Sequence, residues 1–322
     1  MIELLMAKVG TLLWPKGDGG RLAVLMYHRV LQPADPLRPW EVDRAQFEDQ
    51  MRLLSTRFRV LPLDEAVERL ETRRLPSKAV SITFDDGYRD NYEHALPILK
   101  RYGLPATFFV ATGYLDGGCM WNDLVIEAVR RAEGMLDLDD VGLGRHIVES
   151  LAQKLAAIRA LLPNIKYLPF SLRNDVSSRL AEMSGVSDVD DIMMSSDQVR
   201  ALRSAGMAIG AHTARHPILA NETLTDARQD IEASKRYLEN LLQEPVESFA
   251  YPNGRPGKDY RAEHVATLQQ VGFRYAVSTA WGIASSGGDR YQIPRMLPWD
   301  KGPIRFQARI LKTLWDQPAE QV

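Results

Sequence analysis

Short apolar runs alternate with amphipathic stretches along most of the chain. The runs are rich in Val, Ile, Leu, Ala and Phe, which is typical of strands buried on both faces of a parallel sheet. The stretches between them place apolar residues three or four positions apart, the spacing of one helix face. Because strand, helix and strand in this order form a βαβ unit, the pattern predicts an α/β fold with about seven to eight mostly parallel strands. The predicted strands cover residues 22–27, 60–63, 79–84, 106–111, 207–211, 246–251, 275–278 and 291–293.

The alternation breaks between about residues 120 and 197, where helical patterns follow one another with Gly, Asp and Pro clusters between them. We interpret this segment as an α-helical insertion or lid on a barrel that spans residues 21–300. An N-terminal helix or segment over residues 1–20 and a tail helix over residues 301–322 complete the predicted organisation. The helices predicted within the insertion cover residues 124–133, 146–162 and 175–183.

Composition and charge narrow the class of protein. The 322 residues are 45% apolar and 25% charged, which is ordinary for a globular protein. The net charge of −2 provides no basic field, so we expect no nucleic-acid partner. The single cysteine, Cys119, excludes an intrachain disulfide and fits a reducing compartment. The sequence leaves the oligomeric state open.

Both ends of the chain raise the question of membrane contact. Residues 1–14 are mostly apolar, but they are too short to span a bilayer and lack a convincing signal-peptide cleavage site. Their spacing predicts a helix packed on the domain, with a membrane-surface anchor or a targeting segment as alternatives. The tail helix has a basic face of Arg305, Arg309 and Lys312, and we favour packing on the barrel over docking to an anionic membrane. We therefore expect a cytoplasmic protein, with peripheral contact at the inner membrane face as the alternative.

Two adjacent carboxylates, Asp85 and Asp86, close one buried apolar run directly before a glycine. When two carboxylates lie this close to each other, each raises the pKa of the other unless a cation lies beside them. Two imidazoles, His212 and His216, follow another apolar run, and the ends of parallel strands meet at one edge of a barrel. One carboxylate and two histidines make a three-ligand site with room left for water, which is the composition of a hydrolytic metal centre.

Three motifs give the chain a family resemblance. Thr-Phe-Asp-Asp-Gly at 83–87, His-Thr-Ala-Arg-His at 212–216 and Phe-Ala-Tyr-Pro-Asn-Gly at 249–254 occur in the order expected of the polysaccharide deacetylases, carbohydrate esterase family 4, with its NodB homology domain. The resemblance covers roughly residues 22–300, apart from the insertion. It implies a distorted (β/α)7-type barrel with an α-helical insertion, and a metal-dependent hydrolase of carbon–nitrogen bonds.

The resemblance assigns roles to the two clusters. Asp86, His212 and His216 are the expected metal ligands, and Asp85 is the expected general base for the attacking water. Imidazole and carboxylate suit Zn²⁺ but also Co²⁺, Ni²⁺, Fe²⁺ and Mn²⁺. Zinc is the expectation for the family.

Further residues are expected to line the site. By resemblance, the Asn253 backbone N–H stabilises the oxyanion, and Tyr251 and Pro252 form the cleft wall. An ordinary Pro-Asn-Gly turn explains these residue types equally well. Trp121, which opens the insertion, is a candidate for stacking on a sugar ring, with a core tryptophan as the equal alternative.

The chain departs from the common family pattern at two places. Many members have an arginine at the position of Ala250, where it pairs with the base, and a C-terminal Leu-x-His motif whose histidine is the general acid. Arg295 is our candidate replacement for the arginine, with a surface ion pair as the alternative. His28 is our candidate for the histidine, as general acid or substrate contact, with a structural histidine as the alternative. The Tyr-His near the start resembles the subgroup that includes exopolysaccharide poly-N-acetylglucosamine deacetylases.

The resemblance implies an N-deacetylase that hydrolyses the acetamide of an N-acetylated amino sugar in a bacterial polysaccharide or glycoconjugate and releases acetate. One alternative keeps the metal site but changes the substrate to a small non-sugar amide or imide. A second alternative is a catalytically weak carbohydrate-binding protein, because the expected arginine and C-terminal histidine are missing. The intact carboxylates and histidines favour the enzyme.

Overall fold

The structure is a computed structural model that describes residues 20–186, 189, 192–313 and 319–322. The predicted N-terminal helix lies outside these residues. The strands of the described part are β1 (Arg21–Tyr27), β2 (Val30–Leu31), β3 (Val42–Asp43), β4 (Arg59–Val60), β5 (Ala79–Phe84), β6 (Thr107–Val110), β7 (Met135–Leu138), β8 (Gly144–Ile147), β9 (Ala208–Ala211), β10 (Ser248–Ala250), β11 (Tyr275–Trp281), β12 (Ala284–Ser285) and β13 (Ile293–Arg295). The α-helices are α1 (Arg44–Arg57), α2 (Leu63–Glu71), α3 (Leu96–Tyr102), α4 (Trp121–Arg131), α5 (Leu151–Lys166), α6 (Phe170–Met183), α7 (Ser196–Ser204), α8 (Leu224–Leu242), α9 (Ala262–Val271) and α10 (Pro303–Thr313).

Seven parallel strands form a barrel in the order β1, β5, β6, β9, β10, β11 and β13. The ring closes between β13 and β1, where the Met296 N–H donates to the Val24 carbonyl at 2.9 Å and the Met26 N–H donates to the Met296 carbonyl at 3.0 Å. Short strands β4 and β12 pair with β5 and β1. The predicted distorted (β/α)7-type barrel is confirmed, and all seven strands present their carboxyl ends at one rim.

A large aromatic ring fills the barrel because a glycine faces it. Phe109 on β6 pairs with Gly210 on β9, and a Cβ at Gly210 would overlap the Phe109 ring. Small and aliphatic side chains from opposite strands, among them Val24, Ala250 and Val277, meet Phe109 in the same buried cluster. The interior is therefore a packed core, and chemistry is confined to its rim.

Most helices outside the insertion pack on the strands through one continuous core, and α2 packs through the cluster that contains Phe109. The apolar stripe of each helix supplies residues that are wholly buried, as its spacing predicts. The tail helix α10 joins this core through Phe306 and Ile310, while its Arg309 pairs with Asp300 at the surface. No helix in the described part of the chain combines the length and apolar character needed to cross a bilayer.

The segment between α4 and α6 has its own buried core, built from α4, α5, α6 and the antiparallel hairpin β7–β8. The prediction that a helix starts at residue 146 was wrong. Residues 144–147 pair with β7 instead, and α5 starts at Leu151. A capping box between Ser150 and Gln153 fixes this start. The helix then continues past Pro163 to Lys166, beyond its predicted end.

Candidate active site

Both acidic residues after β5 reach the rim because the backbone changes from an extended to a left-handed conformation between them. Asp85 continues the strand, and its N–H donates to the Tyr27 carbonyl at 2.9 Å. Asp86 then adopts φ 75° and Gly87 φ 93°, left-handed conformations that side-chain-bearing residues rarely adopt. Because alternate strand residues point to opposite faces, this turn is what brings the second carboxylate into the same site.

The two histidines lie on a tight loop after β9. His212 follows the strand directly, and Thr213 and His216 have φ values of 63° and 52°. The Thr213 hydroxyl accepts the His216 N–H at 3.0 Å, and Asp230 on α8 accepts the two N–H groups between them at 3.2 Å. Left-handed residues of this kind cost of order 1–3 kcal/mol each and persist only where the surroundings fix them.

Asp86, His212 and His216 form the one group of three potential metal-binding side chains found among the described residues. The Asp86 Oδ1 lies 3.3 Å from His212 Nε2 and 3.4 Å from His216 Nε2. Bonds of about 2.0–2.2 Å at tetrahedral angles place ligand atoms about 3.3–3.6 Å apart. Both distances to Asp86 therefore match the spacing of a tetrahedral site, and the ligand atoms of all three residues lie within 4.8 Å of one another.

The hydrogen bonds around the cluster also fit a cation. His212 Nδ1 lies 2.7 Å from the Ala250 carbonyl, and because a carbonyl only accepts, Nδ1 carries the proton and Nε2 presents a lone pair. Asp86 Oδ1 is buried and has no hydrogen-bond partner among the described residues. Acceptor atoms that face one another in a buried space repel, and a divalent ion between them removes this repulsion.

The pKa values of the cluster follow from burial and mutual charge. Burial lowers the pKa of His216 to about 3, so this ring is neutral at physiological pH, as a ligand must be. Burial raises the pKa of Asp86, but the neighbouring histidines outweigh burial, His212 through its close approach first, and the pKa is lowered. Burial lowers the pKa of His212, yet Asp86 and Asp85 raise it overall. A proton on His212 therefore competes with a metal ion for the same carboxylate.

Arg295 forms a two-pronged ion pair with Asp85. The Arg295 Nη1 and Nη2 atoms donate to the two carboxylate oxygens at 2.7 and 2.6 Å, and the arginine side chain is 0% exposed. Its remaining donors reach the Ser278 carbonyl at 2.9 Å and the Thr83 hydroxyl at 3.2 Å. Burial raises the pKa of Asp85, and the charge of Arg295 outweighs it, so the pKa is lowered. The guanidinium thus comes from β13, in place of the family arginine at Ala250.

His28 lies at the same rim, directly after β1. It contributes to the lowered pKa of both Asp85 and Asp86, so the ring lies within electrostatic range of the two carboxylates. The side chain is half-buried and reaches solvent.

Sequence reasoning missed Glu41, whose pKa is raised by burial and lowered in smaller part by the charges of His28 and Arg29. Nothing in the apolar pattern distinguishes Glu41 from a surface acid.

Asn253 lies on the turn after β10, at the rim where the parallel strands end. It follows β10 by three positions, adopts φ 59°, and its carbonyl accepts the Thr279 hydroxyl at 2.5 Å. Its side-chain Nδ2 is buried without a partner among the described residues, so the turn holds a free donor besides its backbone N–H. The neighbouring Ala250 carbonyl holds His212, which ties this turn to the metal cluster.

The two residues expected on the cleft wall, Tyr251 and Pro252, and the candidate for sugar stacking, Trp121, are all buried. Tyr251 is 0% exposed and stacks on Tyr260 at 3.8 Å, and Pro252 is also buried. Trp121 is 8% exposed, belongs to the core of the insertion, and lies under the Arg173 guanidinium at 5.4 Å. These placements correspond to the alternative explanations, an ordinary turn and a core tryptophan, because each ring faces protein atoms.

Comparison with known proteins identifies the family. The sequence model described as "Polysaccharide deacetylase" matches residues 72–153 and 164–276, which include both acidic residues and both histidines. The chain belongs to the polysaccharide deacetylase family. Members are hydrolases that act on N-acetyl groups of polysaccharides, and deacetylases of this family are metal-dependent in general.

Individual relatives agree with this family. YxkH of Bacillus subtilis (strain 168) is 24% identical over 278 residues, which are 86% of this chain and 71% of YxkH. The poly-beta-1,6-N-acetyl-D-glucosamine N-deacetylase of Staphylococcus aureus (strain MSSA476) is 33% identical over 104 residues, 28% of this chain and 36% of that enzyme. IcaB from Ammonifex degensii superposes with a TM-score of 0.60 at 22% identity, covering 90% of this chain and 98% of IcaB. The structural likeness supports the shared deacetylase barrel.

Proposed function

We propose that this protein is a metal-dependent N-deacetylase that hydrolyses the acetamide of an N-acetylated amino sugar in a bacterial polysaccharide or glycoconjugate and releases acetate. The observation that carries the proposal is the pairing of Asp85 with Arg295 beside the Asp86, His212 and His216 cluster. An ionised carboxylate next to a three-ligand site is the arrangement that metal-assisted amide hydrolysis requires.

Asp86, His212 and His216 would hold the divalent ion, and their oxygen and nitrogen donors suit zinc, the metal expected for the family, as well as the other candidate metals. When bound, such an ion lowers the pKa of water and polarises the acetamide carbonyl. The protein's own contribution is the geometry. His212 is oriented by the Ala250 carbonyl, and His216 is held neutral by burial.

Asp85 would take the proton of the attacking water. Its lowered pKa keeps the carboxylate ionised at neutral pH, and each oxygen retains a lone pair beyond its bond to Arg295. As the carbonyl oxygen gains negative charge, the Asn253 backbone N–H would donate to it. His28, within electrostatic range of both carboxylates and in contact with solvent, would deliver a proton to the departing amine.

The sugar substrate is supported by the family and by the Staphylococcus aureus relative, whose name specifies a poly-beta-1,6-N-acetyl-D-glucosamine substrate. The matched stretch is about a third of that enzyme, so its substrate enters here as the first one to test. The bacterial polysaccharide is thus the substrate class, and the linkage is to be found by experiment.

The test is acetate release from N-acetylglucosamine oligomers with β-1,6 and β-1,4 linkages. Protein stripped with a chelator and refilled with Zn²⁺ or Co²⁺ is compared with Asp85→Asn treated in the same way. We expect release that requires the metal and falls by at least about a hundredfold in the variant, since a positioned base contributes about 10²–10⁴-fold. Release from small amides but from no acetamido sugar would replace the substrate class, and full activity of Asp85→Asn would remove this residue as the base.

A further inference from the structure

Arg173 is an unusual residue for the core of a protein. It lies on α6 of the insertion, is 1% exposed, and forms no ion pair with a carboxylate among the described residues. Its guanidinium lies over two aromatic rings, 5.4 Å from the Trp121 centroid and 5.2 Å from the Phe170 centroid. Its Nε is buried and has no hydrogen-bond partner in the part of the chain that the structure describes. A buried cation that no carboxylate contacts is costly, which points to a specific role for it.

The hydrogen bond that Arg173 does make leads to the metal cluster. Its Nη2 donates to the backbone carbonyl of His216 at 3.2 Å. His216 is the ligand with a left-handed φ of 52°, followed by a proline. Arg173 therefore contacts the backbone of a metal ligand from outside the barrel, across the boundary between two hydrophobic cores.

The whole loop that carries the histidines is fixed in the same manner. Each of the four consecutive carbonyls of residues 213–216 accepts one hydrogen bond. The donors are the Thr112 N–H (3.2 Å), the Gly113 N–H (2.8 Å), the Tyr114 hydroxyl (2.8 Å) and the Arg173 guanidinium (3.2 Å), in chain order. The first three donors follow β6 of the barrel, and only the fourth, on the ligand itself, comes from the insertion.

We propose that Arg173 is a positioning residue that fixes the backbone of His216, so that the insertion controls how tightly the barrel binds its metal ion. The proposal rests on the metal centre proposed above. Arginine suits this place because its planar guanidinium can lie against aromatic rings while its N–H groups donate to the carbonyl. A lysine keeps the charge and a donor but cannot stack in the same way.

The sign of the effect separates positioning from electrostatics. A buried positive charge near a cation repels it, so removing the charge alone would strengthen metal binding. Removing a group that orients a ligand weakens metal binding instead, typically by about 10–100-fold. The two explanations therefore predict opposite changes for the same substitution.

The experiment measures Zn²⁺ affinity by chelator competition for the full chain and for Arg173→Met, Arg173→Lys and Arg179→Met. Arg179 lies on the same helix, is exposed, and pairs with Asp140 at the surface, so its variant is the matched control. We expect Arg173→Met to bind Zn²⁺ at least about tenfold more weakly, or about 1.4 kcal/mol. We expect the Zn²⁺ affinity of Arg173→Lys to lie between those of Arg173→Met and wild type. The affinity of Arg179→Met should equal that of wild type.

Urea unfolding in excess chelator, together with the Co²⁺ absorption spectrum, separates this role from a purely structural one. A structural role would lower the stability of the metal-free protein and leave the affinity and the spectrum of the folded protein unchanged. Equal or tighter Zn²⁺ binding by Arg173→Met overturns the proposal. If that variant does not fold, wild-type affinity in Arg173→Lys overturns it instead. A wild-type protein that binds no Zn²⁺ would overturn the proposed metal centre as well.

Discussion

Replacing Arg295 with methionine tests the ion pair at the centre of the site. The substitution keeps most of the buried side-chain volume but removes the guanidinium that holds Asp85 with bonds of 2.6 and 2.7 Å. Asp85 then stays buried without its strongest charge partner, and burial raises its pKa. The variant therefore removes one partner of a pair and leaves the other in a medium that disfavours its charge.

The expected cost follows from burial. The side chains of Arg295 and Asp85 are 0% and 3% exposed, so solvent does not screen the pair. Removing one partner of such a pair destabilises by about 3–5 kcal/mol, whereas an exposed pair contributes about 0–1 kcal/mol. Arg274 provides the exposed control, because it pairs with Glu68 and Glu247 at 2.6 and 2.9 Å while remaining 45% exposed.

The assay is urea unfolding at pH 7 and at lower pH, for wild type, Arg295→Met, Asp85→Asn, the double variant and Arg274→Met. A carboxyl with a lowered folded pKa contributes stability at neutral pH that is lost as the pH falls through that pKa. Without the arginine, the pKa of Asp85 is raised, so the folded variant takes up a proton and recovers stability as the pH falls. The difference from wild type is therefore largest at pH 7.

The double variant measures the coupling between the two groups. We expect Arg295→Met to lose about 3–5 kcal/mol at pH 7 and the double variant to lose clearly less than the sum of the single losses. A loss no larger than that of Arg274→Met, or strict additivity, would refute the reasoning. So would a loss that does not change with pH.

Three further predictions concern the site and the barrel. Asp86→Asn should abolish tight Zn²⁺ binding, measured by chelator competition, while leaving the circular dichroism spectrum unchanged; retained affinity would exclude Asp86 as a ligand. His28→Gln should lower kcat by about 10²–10⁴-fold with little change in KM, the effect of losing a general acid; a raised KM with unchanged kcat would make His28 a substrate contact. Gly210→Ala should destabilise by about 1–3 kcal/mol in urea unfolding, because the new Cβ overlaps Phe109; unchanged stability would contradict the packing.

The barrel could be predicted from sequence because its signal is local. Apolar runs at strand spacing and helical stripes between them determine which faces are buried, and parallel strands then bring their carboxyl ends together. This rule brings together the segments that carry Asp86, His212 and His216, and the left-handed turn at Asp86 then directs its carboxylate into the site. Arg295 required a comparison with the family pattern, which showed that the partner of Asp85 was missing from its common position.

The missed features depend on contacts between distant segments. Trp121 and Tyr251 look the same in sequence whether they face a sugar or a core, and only the packing of α6 and of Tyr260 decides. The hairpin β7–β8 pairs residues whose pattern also suits a helix start. The sequence does indicate that Arg173 is buried. It lies at helical spacing from Val176, Ser177 and Leu180, which form the buried face of α6.

The most direct test of the metal-dependent deacetylase is a Zn²⁺ titration of acetate release. Zn²⁺ is added in steps to metal-free protein, whose concentration is well above the dissociation constant for Zn²⁺. The initial rate of acetate release from an N-acetylglucosamine oligomer is measured after each step. We predict no release without metal, a linear rise, and a break at one ion per chain, with His216→Ala flat throughout. Release that persists after complete removal of the metal, or that rises equally in His216→Ala, would contradict a catalytic centre built on Asp86, His212 and His216.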